Sequence, residues 1–421
     1  MSPETRVLVV GTTPDYVHWI DCTWPGRAVF VTDPGVRKGA VEPAPDRRTE
    51  LVVDLRHPRR VHEALAEHLR RHAIQPAGIA CFDCEAMPLA AMLAEWLSLP
   101  YPSGKAVGLC RDKFLCKQAW RAAGVPCPEA SVISRSEEAI AFLHRTGRPC
   151  VLKPLTGAGS ELVFLCHTPA EAARAVRQIR KGLDRLQQNR LYAGSGMRMV
   201  AEEYVAGPEY SCDFLLDEDR VRIVRVARKI RLHDGPFGIT RGYIVPGDLP
   251  GGLTLTRLRD ALRKSANALG LARALCMVDF IATPDGPVLL EIAPRPGGDC
   301  LPPLIRAAAG LDMLGLALDV AEGRSIRLPK PDQWTRHVAF RIFARREGVL
   351  RGVDFARVQA DHRVRQVHLI RRPGQAVVLP PRNYDLWILG HVIFHPEADR
   401  EIEPQCDELL AGVDMTFSGE A

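Results

Sequence analysis

Two apolar runs, Cys276-Met-Val-Asp279-Phe-Ile-Ala282 and Val288-Leu-Leu-Glu291-Ile-Ala293, flank a Pro284-Asp-Gly286 turn. Each carries one acid where a buried strand would hold an aliphatic residue. Such a pair of runs around a tight turn is a β-hairpin pattern. Asp279 and Glu291 are equidistant from Asp285. A three-residue loop therefore sets them directly opposite on one face, with Cβ atoms about 5 Å apart. A two-residue Asp-Gly turn would shift the register by one and send the acids to opposite faces. Opposed carboxylates repel unless a cation lies between them. Oxygen-only ligands suit Mg²⁺, which keeps several waters and binds substrate phosphates as well. Arg295, four residues after Glu291, adds a fork for a phosphate or carboxylate. The competing reading is a surface hairpin with two solvated acids, and the apolar flanks of both weigh against it.

A chain of 421 residues predicts two or three domains. Its net charge of +6 is mild for that length, and no zinc-finger spacing or RNA-binding signature accompanies it. Nucleic acid is therefore not expected as a partner, whereas anionic nucleotides suit a basic balance. No apolar run reaches the length of a membrane span. The twelve cysteines follow no signal peptide, since Met1-Ser-Pro-Glu-Thr-Arg6 leads straight into a strand. That favours reduced thiols in a cytoplasmic protein. Cys81-Phe-Asp-Cys84 has no second pair to complete a zinc site and reads as a strand end.

Arg6-Val-Leu-Val-Val-Gly11 is a continuous apolar strand ending in glycine, as in an open parallel sheet. Strand and helix patterns alternate to about residue 105, which predicts a Rossmann-like α/β domain over 1–105. Gly11-Thr-Thr-Pro14 stands where a dinucleotide fingerprint would be, so no dinucleotide is expected there. Residues 106–328 mix short strands and helices as α+β. Leu328-Pro-Lys-Pro-Asp332 reads as a linker into a β-rich domain over 329–421. Leu191-Tyr-Ala-Gly-Ser-Gly-Met-Arg198 reads as a loop.

Within the middle region, Lys153-Pro154 ends a strand and Gly157-Ala-Gly-Ser160 follows before the next, Leu162-Val-Phe-Leu165. Glycines let backbone N–H groups approach phosphate oxygens and Lys153 adds a point charge, although for this segment alone an ordinary turn after a surface lysine is the commoner explanation. Asp112-Lys113 opens a helix. Glu202-Glu-Tyr-Val205 closes a strand and leads to Glu209, a hinge able to offer groups to an adenine edge and ribose hydroxyls.

The order of these elements, from Asp112-Lys113 through Lys153, Gly157-Ala-Gly-Ser160, Glu202 to Glu209, Asp279 and Glu291-x-x-x-Arg295-x-Gly-Gly298, resembles the ATP-grasp superfamily over about 105–325. The resemblance implies a pre-grasp domain over 1–105, a two-lobed ATP-grasp domain over 106–328 with its lid lobe at about 130–205, and a small C-terminal domain that completes the cleft. It implies that Lys113 and Lys153 contact ATP phosphates and that Gly157, Gly159 and Ser160 belong to a mobile lid. Glu202, Glu203 and the Val205 backbone would hold adenine, Glu209 the ribose, and Lys229 would face phosphates. Asp279 and Glu291 would hold Mg²⁺, with Mn²⁺ as the alternative ion. Arg295 would be the catalytic residue that stabilises an acyl phosphate. Asp279 replaces the family's usual Glu, and Ala293 its usual Asn.

Lys153-Pro-Leu-Thr-Gly-Ala-Gly-Ser160 and Arg295-Pro-Gly-Gly298 look most like the dipeptide-forming L-amino-acid ligases. That likeness implies a carboxylate and an amine as small-molecule substrates, amino acids among them, and allows a homodimer. Arg228-Lys-Ile-Arg-Leu-His-Asp-Gly-Pro-Phe-Gly-Ile-Thr-Arg-Gly-Tyr243 is the candidate substrate-side stretch, with His233 read as a surface histidine and no acidic neighbour for Arg241. Glu291-Ile-Ala-Pro-Arg295 also occurs in the aminoimidazole-ribonucleotide carboxylating synthetases, without the His-rich run that follows it there. An inactive ATP-grasp binding module is the third reading, prompted by Asp279 and Ala293.

Overall fold

A computed structural model describes residues 4–192 and 194–419. Residues 1–3 and 420–421, at the ends of the expected outer domains, and Ala193 of the expected loop lie outside the described residues. The fold is the expected mixture of α/β and α+β. Four parallel strands form the first sheet, in the order Glu50–Val52, Ala28–Thr32, Glu4–Val10, Ile74–Ala80. Val7 to Val10 are fully buried, as a continuous apolar run in a sheet covered on both faces requires. The order reverses between Glu4–Val10 and Ile74–Ala80, and the carboxyl ends of these two strands open a crevice.

Four antiparallel strands make the lid, in the order Ala130–Ile133, Met199–Glu203, Cys150–Pro154, Phe164–Cys166. Helices Ser136–Thr146 and Pro169–Arg185 pack against it, the latter opened by a Thr168/Glu171 capping box. The strand expected at 162–165 starts later, at Phe164, because Ser160 and Leu162 take left-handed backbone angles (φ 58° and 59°) that no strand accommodates.

The largest sheet has eight antiparallel strands. It begins Gly286–Ala293, Arg273–Thr283, Glu209–Asp217, Arg220–Arg231, Thr240–Val245 and continues through His337–Phe343, Ile388–Phe394 and Val364–Leu369. The segment after the 328–332 linker thus adds three strands to the sheet that carries the acidic hairpin. Its remaining strands form a separate sheet, Ala376–Val377, Gly348–Asp354, Asp414–Ser418. Among the described residues no helix is long and apolar enough to cross a membrane.

One core joins the first sheet to the largest one. Val7, Val9 and Phe30 meet Leu215, Ala227 and Tyr243 through the helices Leu301–Ala309 and Met313–Ala321. Gly78 marks the closest approach: a Cβ there would lie 1.9 Å from the Ala321 carbonyl oxygen. Backbone cannot give way as a side chain can, so Gly78→Ala is expected to cost about 1–3 kcal/mol. A fall in melting temperature checks this, and an unchanged melting curve would refute the close contact.

Candidate active site

The hairpin pairs Thr283 with Gly286, so its loop is the two residues Pro284 and Asp285 and not the expected three. Continued unbroken, that ladder would set Asp279 against Leu290. Instead it shifts between Phe280 and Asp279, Leu290 becomes an extra residue, and Asp279 stands opposite Glu291. A β-bulge therefore restores the register that the loop length alone would lose. The bulged strand has partners outside the ladder: Lys117 Nζ donates to the Leu290 carbonyl at 2.7 Å and Leu289 N–H to the Pro126 carbonyl at 2.9 Å.

Both acids sit in a field of lysines. Lys229 Nζ is 2.6 Å from Asp279 Oδ2 and 2.7 Å from Glu209 Oε1. Burial pushes the Asp279 carboxyl above its ordinary range despite Lys229. Burial acts on Glu291 in the same sense but is outweighed by Lys113, Lys153 and Lys229, which hold it well below. Asp279 Oδ1 is buried with no hydrogen-bond partner among the described residues, and a bare carboxylate oxygen on a residue paired with a second acid fits a hard cation. Among the described residues no group of three or more His, Cys, Asp or Glu side chains gathers to hold a metal. Two carboxylates, with phosphate oxygens and water completing the shell, are what Mg²⁺ ordinarily takes.

Lys113 begins the helix Lys113–Ala122, where Asp112 accepts from the N–H groups of Phe114 and Leu115 and ends the preceding helix, Gly104–Arg111. Its Nζ donates to the Gly157 carbonyl at 3.1 Å. Gly157 has φ 135°, a region that disfavours a Cβ, and one there would press on Tyr192 at 3.0 Å. Ser160 Oγ donates to the Gly238 carbonyl at 2.7 Å and ties the loop down on its other side.

Glu202, expected at the adenine edge, lies between two lysines, with Lys117 at 2.8 Å on one oxygen and Lys153 at 2.7 Å on the other. Burial opposes its charge, yet the lysines prevail and lower its pKa. Lys117 escaped the sequence reading although it lies one helical turn from Lys113, a spacing that puts both on one face. It is 1 % exposed and holds both Glu202 and the bulge. Lys117→Met is expected to weaken Mg²⁺-dependent nucleotide binding about 10–100-fold, the usual effect of losing a group that orients a metal ligand. Calorimetric titration with and without Mg²⁺ checks this, and equal losses in both would point to the lysine's charge alone.

Beyond the hairpin, Arg295 Nε donates to Cys84 Sγ at 3.1 Å and Nη1 to the Pro296 carbonyl at 2.7 Å. The chain after it is anchored by Asp213, whose Oδ1 accepts from Gly297 N–H at 2.8 Å. Its Oδ2 meets Arg225 Nε at 2.6 Å, with both side chains fully buried. Arg225→Met leaves the Asp213 charge alone in the core and is expected to cost about 3–5 kcal/mol. Denaturant unfolding measures it, and a loss under 1 kcal/mol, the range of about 0–1 typical of surface pairs, would contradict the buried pairing.

Every residue expected to bind nucleotide or metal, and Arg295, lines one of two adjoining cavities. The larger, about 400 Å³, takes in Lys153, Glu202, Glu203, Val205 and Glu209. The smaller, about 210 Å³, takes in Arg295. Lys113, Gly157, Gly159, Ser160, Lys229, Asp279 and Glu291 line both and form the waist between them.

Comparison with known proteins accords with this geometry. The ATP-grasp domain model matches residues 146–303. A D-alanine–D-alanine ligase of Aromatoleum aromaticum is 30% identical over 237 residues, covering 55% of this chain and 72% of the relative. The chain belongs to the ATP-grasp superfamily. An uncharacterized protein, y4rH, of Sinorhizobium fredii is 29% identical over 323 residues. That match covers 76% of this chain and 64% of the relative's length. In fold, the crystal structure of L-amino acid ligase from Bacillus licheniformis superposes with a TM-score of 0.77 at 17% identity, over 99% of this chain and 100% of that one.

In this ATP-grasp chain the Cys81-x-x-Cys84 segment is more than a strand end. Cys84 follows Ile74–Ala80 into the crevice, lines the smaller cavity and meets Arg295. The position after a parallel strand at the switch point was the signal available in the sequence. His233 lies at the rim of the larger cavity, its side chain 75% exposed and 3.7 Å from Glu403. Arg241 finds an acidic partner in Asp407, supplied by the distant helix Ile402–Ala411.

Proposed function

We propose that this chain is an ATP-dependent carboxylate–amine ligase that releases ADP and phosphate. The supporting observation is that Asp279 and Glu291 stand at the waist, where a terminal phosphate in one cavity would meet an acid in the other. The larger cavity is of the size that ligand sites have. In this reading adenine lies against Glu203 and the Val205 backbone, and ribose at Glu209. The phosphates lie among Lys113, Lys153 and Lys229, beneath Gly157, Gly159 and Ser160. Glu202 keeps Lys117 and Lys153 in place. Mg²⁺, or Mn²⁺ in its stead, held by Asp279 and Glu291, would neutralise charge on the terminal phosphates.

An oxygen of the acid attacks the γ-phosphorus, and the bond from that phosphorus to ADP breaks. The resulting acyl phosphate is attacked at its carbonyl carbon by the amine nitrogen. Phosphate leaves with the bonding pair and the nitrogen gives up one proton. Arg295 faces the charge on the acyl phosphate and then on the tetrahedral oxygen. The lid contacts from Lys113 to Gly157 and from Ser160 to Gly238 keep water from the acyl phosphate. An amino acid joined to a second amino acid or to a specialised acid is the finer proposal, supported by the likeness of the Lys153–Ser160 and Arg295–Gly298 motifs to dipeptide-forming ligases. The test is nucleotide analysis over acid and amine pairs. ADP and phosphate should appear in equal amounts when both substrates are present. AMP with pyrophosphate would overturn the proposal.

A further inference from the structure

The smaller cavity holds more positive charge than the reaction above uses. Three carboxylates line it: Asp279, Glu291 and Asp299. Asp279 is engaged by Lys229, Asp299 by Arg341 at 2.6 Å, and Glu291 faces Lys113 and its neighbours. That leaves Arg111 and Arg295, neither with a carboxylate partner among the described residues. Among the described residues Arg111 donates only to main chain, from Nη1 to the Cys84 carbonyl and from Nη2 to the Leu191 carbonyl at 2.8 Å. Three of its five N–H donors remain. Burial lowers its pKa, with Cys84 and Glu85 acting in the opposite sense. Arg111 and Arg295 line the smaller cavity and not the larger, which puts both on the acid's side of the waist. Both also grip Cys84, one at its carbonyl and the other at its thiol, so the two forks are anchored on a single residue.

Resting on the ligase reading, we propose that the acid substrate is a short dicarboxylic acid: Arg295 faces the carboxylate being activated and Arg111 grips the second. A fork matches a carboxylate geometrically as well as by charge. An α-ammonium beside the activated carboxylate would find none of the cavity's three carboxylates free.

The test is calorimetric binding to full-length protein loaded with Mg²⁺ and a non-hydrolysable ATP analogue. Succinate should bind at least about tenfold tighter than butyrate, the effect of one charged hydrogen-bonded pair. Arg111→Met should erase that preference while leaving the analogue's affinity unchanged. Arg111→Lys, which keeps the charge without the fork, should retain part of it and decides the matter if the methionine variant fails to fold. Equal binding of succinate and butyrate overturns the proposal, as does a preference that survives both substitutions. A preference for alanine over ethylamine that depends on Arg111, with none for succinate, also overturns it by moving the carboxylate to the amine. If succinate is preferred but no acid and amine pair yields ADP, the ligase reading fails and the anion site stands.

Discussion

Replacing Glu291 with Gln is expected to lower the ADP-forming rate by about 10³-fold, the loss seen when a preorganised charge-stabilising group is removed, while nucleotide binding without Mg²⁺ holds or tightens. The two effects separate because Glu291 is the anion among Lys113, Lys153 and Lys229. Without its charge those lysines face the phosphates unopposed, so binding gains what catalysis loses. Asp279 cannot substitute, since Lys229 already occupies one of its oxygens. Steady-state ADP release alongside equilibrium nucleotide titration measures both quantities, with a melting curve to confirm the fold. Turnover within tenfold of the parent would remove the carboxylate pair from the mechanism.

Arg295→Met should lower turnover by about 10²–10³-fold through the loss of one donor to developing negative charge, with nucleotide affinity unchanged. Arg295 lines only the smaller cavity, whereas Lys113 and Lys229 line both and Lys153 only the larger. Its place depends on Cys84 and on the Asp213 anchor behind Gly297, and neither contact reaches the larger cavity. A loss confined to nucleotide binding would put Arg295 on the wrong side of the waist and undo its role toward the acyl phosphate.

Much of the architecture was legible because it follows local rules. Continuous apolar runs marked the parallel strands, as in Arg6 to Gly11. The opposed acids were also found, although the loop-length argument for them was incomplete: the bulge at Leu290 supplies the missing residue. No local rule reveals that bulge, because the lysine holding its carbonyl lies 173 residues earlier. The same distance in sequence concealed the role of Lys117. It also hid the extension of the largest sheet by strands after the 328–332 linker, since pairing between separated strands leaves no periodic trace.

What the amino-acid order settled alone is which residue types recur at strand and helix spacing: the lysines, the glycine loop, the two acids and Arg295 all carry signals readable within a few neighbours. Which of them face one another was left to tertiary packing. Charge acts through space, most strongly where burial removes the screening solvent, so separation in the fold and not in the sequence decides which groups interact. Glu202 therefore became a lysine clamp, Cys84 a seat for two arginines, and Lys229 the partner of Asp279 only once three sheets had closed around one cleft.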